Sequence, residues 1–222
     1  MDVEGEGDLH DHIVADVTSG GDGARGPRTP PHPLGPNEIL HVELLWHTPM
    51  DPDETNEGPE NGADLDLHLL HPLAAGLDLD KDGDPDGWYD QPFDCFWANT
   101  NPDWGCFDPM VDDDPILTRD DRDGAGPESI TLRYPEAVSY RVAVHYWHDH
   151  GFGPSLATVR VYWGLDLIFE TSEVKLVTAD LWEVCEIDWS TGAVTRLSDL
   201  DGEDRIIPGY VHPALHPQAG GF

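Results

Sequence analysis

Between Asp78 and Glu128 the chain carries sixteen acidic residues against three basic ones, in a stretch interrupted throughout by Gly, Pro and Asn. Like charges at that density need cations or water between them, so the segment cannot build a core of its own. Its opening run, Asp78-Leu79-Asp80-Lys81-Asp82-Gly83-Asp84-Pro85-Asp86, sets carboxylates at every second position around a glycine. A short loop wraps oxygen ligands around Ca²⁺ in this way. Asp78, Asp80, Asp82, Gly83 and Asp86 follow the first, third, fifth, sixth and ninth places of an EF-hand loop, but Tyr89 stands where the closing Glu belongs. The expectation is therefore a free-standing calcium loop that also draws on Asp84, with a later acid such as Asp90 closing the shell; the alternative is a solvated acidic turn.

The segments around this stretch read as strands. Ile39–Trp46 has β-branched and aromatic content and ends at the turn-rich Thr48-Pro49-Met50-Asp51-Pro52,. Asp64-Leu65-Asp66-Leu67-His68-Leu69 alternates, which turns the three leucines to one face and Asp64, Asp66 and His68 to the other,. Two carboxylates stacked along one strand can share an ion. Beyond Glu128, strands are expected at 129–133, 140–147, 157–163, 166–171, 174–177, 181–189 and 193–197, with hairpin signals at Gly164-Leu165 and Thr191-Gly192,. No segment has a convincing helical period. The fold expected is all-β, an antiparallel β-sandwich of jelly-roll or Ig-like type with eight or nine strands and a long acidic calcium-binding loop insertion. Its domain runs over 37–198 with the insertion at 76–128, between a disordered Gly/Pro/His-rich acidic tail at 1–36 and a C-terminal tail or linker at 199–222,. The scattered His10, His12, His32, His212 and His216 read as solvated tail residues. Trp88, Tyr89, Phe93, Phe96, Trp97, Trp104 and Phe107 interleave with the acids of the insertion. They are expected to pack the loop onto the sandwich as a satellite core, the alternative being an aromatic platform for a sugar or peptide ring.

A formal charge of −34 from forty-five acidic and eleven basic residues argues against nucleic acid and anionic membranes as partners,. A surface adapted to high salt would carry similar acidity but would not order it as the Asp78 loop does. No apolar run is long enough to span a bilayer, and Met1 is not followed by a basic and then an apolar segment,. Weak calcium loops nevertheless suit extracellular modules, so the expectation is an exported or cell-surface protein whose true start or parent protein lies outside this sequence. In that setting Cys95 and Cys106 are expected to be bonded and Cys185 buried and free; three free thiols is the alternative in a reducing compartment.

A second acidic cluster runs through Asp112-Asp113-Asp114 and Asp120-Asp121-Arg122-Asp123-Gly124-Ala125-Gly126-Pro127-Glu128. Taken with Asp64-Leu65-Asp66-Leu67-His68 and Tyr140-Arg141-Val142, it resembles the YfaP-like family of bacterial exported β-sandwich domains of uncharacterised function, over roughly residues 39 to 190. The resemblance implies that the Asp64 strand and the Gly-Pro-Glu loop meet, with Asp64, Asp66, Asp121, Asp123 and Glu128 forming one cation site. The insertion from Gly76 to Pro115 is much longer than the simplest family pattern.

His145-Tyr146-Trp147-His148-Asp149-His150 is the best enzyme candidate, since His and Asp are usual zinc ligands. Its spacing matches neither HExxH nor paired CxxC, and a strand would turn His145 and His148 to opposite faces. The chain also lacks a GxSxG elbow, a P-loop and a dinucleotide glycine fingerprint,. The reading favoured by the sequence is a non-enzymatic, calcium-stabilised module that mediates adhesion, glycan or protein binding, or assembly. The alternative is a metal-dependent hydrolase using His145, His148, Asp149 and His150.

Overall fold

Alternation of apolar and polar residues is realised as an all-β fold in a computed structural model that describes residues 39–56, 58, 61–76, 86–106, 110–122 and 124–211. Twelve strands occur among the described residues: β1 (Leu40–His47), β2 (Asp64–Leu70), β3 (Asp94–Cys95), β4 (Pro115–Arg119), β5 (Glu128–Leu132), β6 (Ser139–His148), β7 (Ser155–Trp163), β8 (Asp166–Glu170), β9 (Val174–Leu176), β10 (Leu181–Asp188), β11 (Ala193–Arg196) and β12 (Arg205–Ile207). The nine strands expected from the sequence are all present, with ends shifted by at most two residues.

The strands form two antiparallel six-stranded sheets, ordered β4-β5-β1-β7-β8 with β9 also on β7, and β11-β10-β6-β2-β3 with β12 also on β10. Packed face to face, they enclose one principal core. Leu40, Val42, Leu44 and Trp46 of β1 and Val159 and Val161 of β7 meet Leu65, Leu67 and Leu69 of β2 and Val142 and Val144 of β6 there. Fully burying side chains of this size contributes about 1.5–3 kcal/mol each, so the alternating leucines of β2 suffice to fix its register. Trp163 stacks on Trp189 at 3.8 Å at one end of the sandwich.

Two expected boundaries are corrected. β3 and β4 fall inside the expected loop insertion, where β3 extends β2 and β4 extends β5, so the 76–128 segment completes one edge of each sheet. β12 lies in the expected C-terminal tail, yet Leu181, Trp182 and Glu183 of β10 pair with Ile207, Ile206 and Arg205. Such short strands carry too few residues to show a period, and partner strands define them.

All seven residues of β2 are buried. The outer face of its sheet is covered by Trp88, Tyr89 and Phe96, which pack with Leu70, Ala143 and Leu181 into a second cluster joined by Tyr210. Trp88, Tyr89, Phe96 and Trp104 are thus interior residues and form no exposed platform, Phe93 and Trp97 are half-buried, and Phe107 lies outside the described residues. Several acids of this segment accept backbone N–H groups: Asp94 from Tyr89, Asp113 from Cys106 and Asp114 from Trp104. A carboxylate holding local amides in this way is ordinary turn chemistry, and it accounts for part of the acidity without any ion.

Candidate metal centre

β3 pairs only with Leu69 and Leu70, so the rest of β2 is a sheet edge on that side. An unpaired N–H on a buried edge needs an acceptor. Leu67 finds it in the other sheet, donating to Glu128 Oε2 at 2.7 Å. Glu128 opens β5, and its second oxygen accepts the N–H of Asp121 at 3.2 Å. One carboxylate therefore bridges the sheets at their open seam.

The loop before Glu128 is held from below. Trp46 N–H donates to the Ala125 carbonyl at 3.0 Å, and Gly126 has φ +81° with its α-carbon against β1. A Cβ there would lie 2.9 Å from the Leu44 oxygen and 3.0 Å from the Trp46 ring. Only glycine accepts both that φ and that approach.

These constraints bring Glu128 beside Asp66 and Asp120. One carboxylate oxygen from each lies within 4.8 Å of the others, the single such cluster of metal-ligating side chains among the described residues. Asp66 and Glu128 are 3% and 1% exposed, whereas Asp120 is exposed. Asp64, one alternation back along β2, is 8% exposed. Asp64 Oδ1 and Asp66 Oδ2 are buried without a hydrogen-bond partner, and an unmatched buried acceptor loses its hydration with nothing in return.

Electrostatics express the same conflict. Burial, then the charge of Asp66, pushes Asp64 up to about 8, and Arg122 opposes this. Burial pushes Asp66 up to about 7 against the favourable influence of His68. Glu128 is held well above the usual carboxylate range by burial and by Asp66. Several acids in one partly dry site must share either protons or a cation. An all-carboxylate oxygen set suits a hard ion such as Ca²⁺ and offers no soft ligand.

The expected site residues are thus divided. Asp66 and Glu128 converge, while Asp64 is close enough to feel the charges of Asp66 and Asp120 but lies outside the three-oxygen group. Asp121 is adjacent, but its Oδ2 accepts from the Arg119 guanidinium at 3.1 Å and the third place in the oxygen cluster belongs to Asp120. Asp86 is buried near the start of the described part of the loop, where its carbonyl accepts Gly76 N–H at 3.1 Å. Asp78, Asp80, Asp82, Asp84 and Asp123 lie outside the described residues, as do the N-terminal tail and residues 212–222. Asp120 escaped the sequence reading because it adjoins Asp121 in a turn, where no period selects one acid over its neighbour. A register shift between Leu117 and Arg119 of β4 precedes the pair, and such irregularities re-aim side chains.

No family model, curated protein or solved structure matches this chain.

The histidine cluster is split: His148 and His150 keep their rings 4.3 Å apart in a turn, and His145 lies away from them in the interior. His145 is fully buried on the outer face of β6, with Nε2 3.1 Å from the Tyr210 carbonyl oxygen and Nδ1 3.9 Å from Asp66 Oδ2. Burial and His68 lower it to about 4, so the ring is neutral at pH 7. His148 Nδ1 accepts the His150 N–H at 2.9 Å, His150 Nδ1 meets the Gly62 carbonyl at 2.8 Å, and Asp149 accepts from Gly151 N–H at 3.1 Å. The three shape a turn.

The expected Cys95–Cys106 bond is absent, and all three cysteines are free. Cys95 Sγ points into the sandwich toward the Thr100 carbonyl at 3.7 Å, whereas Cys106 is exposed in a turn held by Asp113.

Proposed function

We propose that this chain is a calcium-stabilised β-sandwich module of an exported or cell-surface bacterial protein, serving adhesion, glycan or protein binding, or assembly. The observation that carries the reading is the convergence of Asp66, Asp120 and Glu128 oxygens within 4.8 Å. The Asp64 Oδ1 and Asp66 Oδ2 atoms, which accept no hydrogen bond, support it, because a divalent cation would satisfy them and remove the repulsion at once,. The ion fastens the two sheets at their seam, so its role is structural. The Asp78 loop is proposed as a second, weaker calcium site, and the similarity to YfaP-like domains bears on the exported setting.

Dialysis against EDTA followed by calcium titration and metal analysis tests this. Calcium should raise the melting temperature by an amount that sodium or potassium at equal ionic strength does not reproduce. Binding confined to the native state contributes about 2.7 kcal/mol at one hundred times Kd. Asp64→Asn/Asp66→Asn should abolish most of the shift and Asp80→Asn/Asp82→Asn should retain it; the reverse pattern would move the organising site to the loop. Stoichiometric zinc in place of calcium would favour the hydrolase reading.

A further inference from the structure

A cleft of about 470 Å³ adjoins the carboxylate cluster at Asp120 and is lined by Glu54, Thr55, Asn56, Arg119, Asp120, Asp121 and Arg122 and by residues 124–126; the Glu54 carboxylate is already engaged by His47 Nδ1 at 2.9 Å. Asp120 belongs both to this lining and to the three-oxygen cluster, so a cation held there presents one side to the cleft. Ca²⁺ takes six to eight oxygens. Asp66 and Glu128 are buried and Asp120 is the exposed member of the cluster, so further oxygens would reach a cation from the Asp120 side.

The surroundings select the kind of oxygen. Two of the eleven basic residues in a chain of formal charge −34 stand together on this rim. Arg119 is engaged with Asp121 at 3.1 Å, and Arg122 is exposed at the cleft with its charge felt by Asp64. A cation and a guanidinium on one side of a cleft recognise a carboxylate. Among the lining residues there is no aromatic ring, and Ala125 is the one apolar side chain larger than glycine. The apolar face of a sugar would find no support there, whereas an acidic side chain needs only its oxygens to be met.

We propose that the cleft binds the carboxylate of an Asp or Glu side chain on a partner polypeptide, one oxygen completing the shell of the cation and the group also contacting Arg122. This rests on the calcium reading above. The surface around the cleft repels anions over longer range, so the partner's acidic residue lies in a neutral or basic context.

Calorimetric titration separates the two readings. Calcium is titrated first into the EDTA-treated chain, and then an acetylated, amidated Gly-Asp-Lys tripeptide into the calcium-loaded chain. The peptide should bind with calcium and lose about tenfold or more in affinity in EDTA, on exchange of its Asp for Asn, and in Arg122→Ala measured at saturating calcium, a variant that should still take up calcium because it removes a positive charge acting on Asp64. Equal binding in EDTA, or equal binding of the Asn peptide, overturns the inference. Galacturonate or inorganic phosphate binding as tightly as the Asp peptide overturns the assignment to a polypeptide. Calcium uptake without peptide binding sinks this inference and leaves the metal reading standing, while no calcium uptake sinks both.

Discussion

His68 Nδ1 lies 2.7 Å from Asp94 Oδ2, with both side chains entirely out of water. The same Asp94 oxygen accepts the N–H of Tyr89 at 2.7 Å, and the His68 ring stacks on Phe96 at 5.2 Å. The pair thereby fastens the aromatic segment onto the outer face of β2. It also fixes Tyr89, a non-glycine residue at φ 72°, a conformation that costs energy unless its surroundings impose it.

The costs of removing the two members should not add. Asp94→Leu leaves a buried imidazole without its carboxylate partner and should destabilise the fold by about 3–5 kcal/mol. Adding His68→Leu to Asp94→Leu should cost clearly less than the sum of the single changes. Urea unfolding of the three variants measures the coupling, and simple additivity would show that the pair does not act as a unit.

Gly126→Ala should fail for a local reason. The added methyl meets the Leu44 oxygen at 2.9 Å and needs a φ of +81°, so a loss of about 2 kcal/mol or more is expected from strain and displacement. Because this loop delivers Glu128, calcium affinity should fall together with stability. Gly151→Ala is the control: its φ is also positive, at +89°, but no atom lies within 4 Å of the new Cβ. It should cost less and leave calcium binding unchanged.

The acids of the metal centre set a pH dependence whose sign can be worked out. Asp64 and Asp66 are raised to about 8 and about 7 in the metal-free fold, against about 4 in an unfolded chain. Between those limits the folded state holds more protons than the unfolded one, so metal-free stability should decline as pH rises from about 4 to about 8. Calcium must displace these protons, so its stabilising effect should grow across the same window. Melting curves at pH 5, 6, 7 and 8 with EDTA or calcium test both slopes, and a calcium-induced shift independent of pH would contradict the assignment.

Thiol chemistry should follow burial. Cys106 is exposed and Cys95 and Cys185 are buried, with burial raising both interior thiols far above their ordinary value. Since the thiolate is the reactive form, iodoacetamide should label Cys106 alone under native conditions and all three cysteines in denaturant. Mass spectrometry of the digests distinguishes this from a Cys95–Cys106 disulfide, which would leave Cys106 unlabelled in both.

The sequence by itself determined the elements and their faces. A period of two in Asp64–Leu70 placed Leu65, Leu67 and Leu69 in the core and Asp64, Asp66 and His68 opposite, because pleating alternates side chains whatever the neighbours are,. The same rule foretold β1 and the run of strands after Glu128, and it marked Glu128 as the residue on which a loop becomes a strand. It could not foretell β3, β4 or β12, whose two to five residues are strands only because β2, β5 and β10 accept them.

Which acids share a site was decided by the tertiary structure. Asp120 and Asp121 are chemically identical neighbours, and Asp120 joins Asp66 and Glu128 because of how β4 and β5 pair and where Gly126 lets the backbone pass. The aromatic run of the insertion announced that it would pack onto the sandwich, but that it closes over the polar face of β2 was decided by the tertiary structure. Local pattern fixes the direction of a side chain within its own strand; its neighbours depend on contacts between residues far apart in sequence, such as the 61 positions between Leu67 and Glu128.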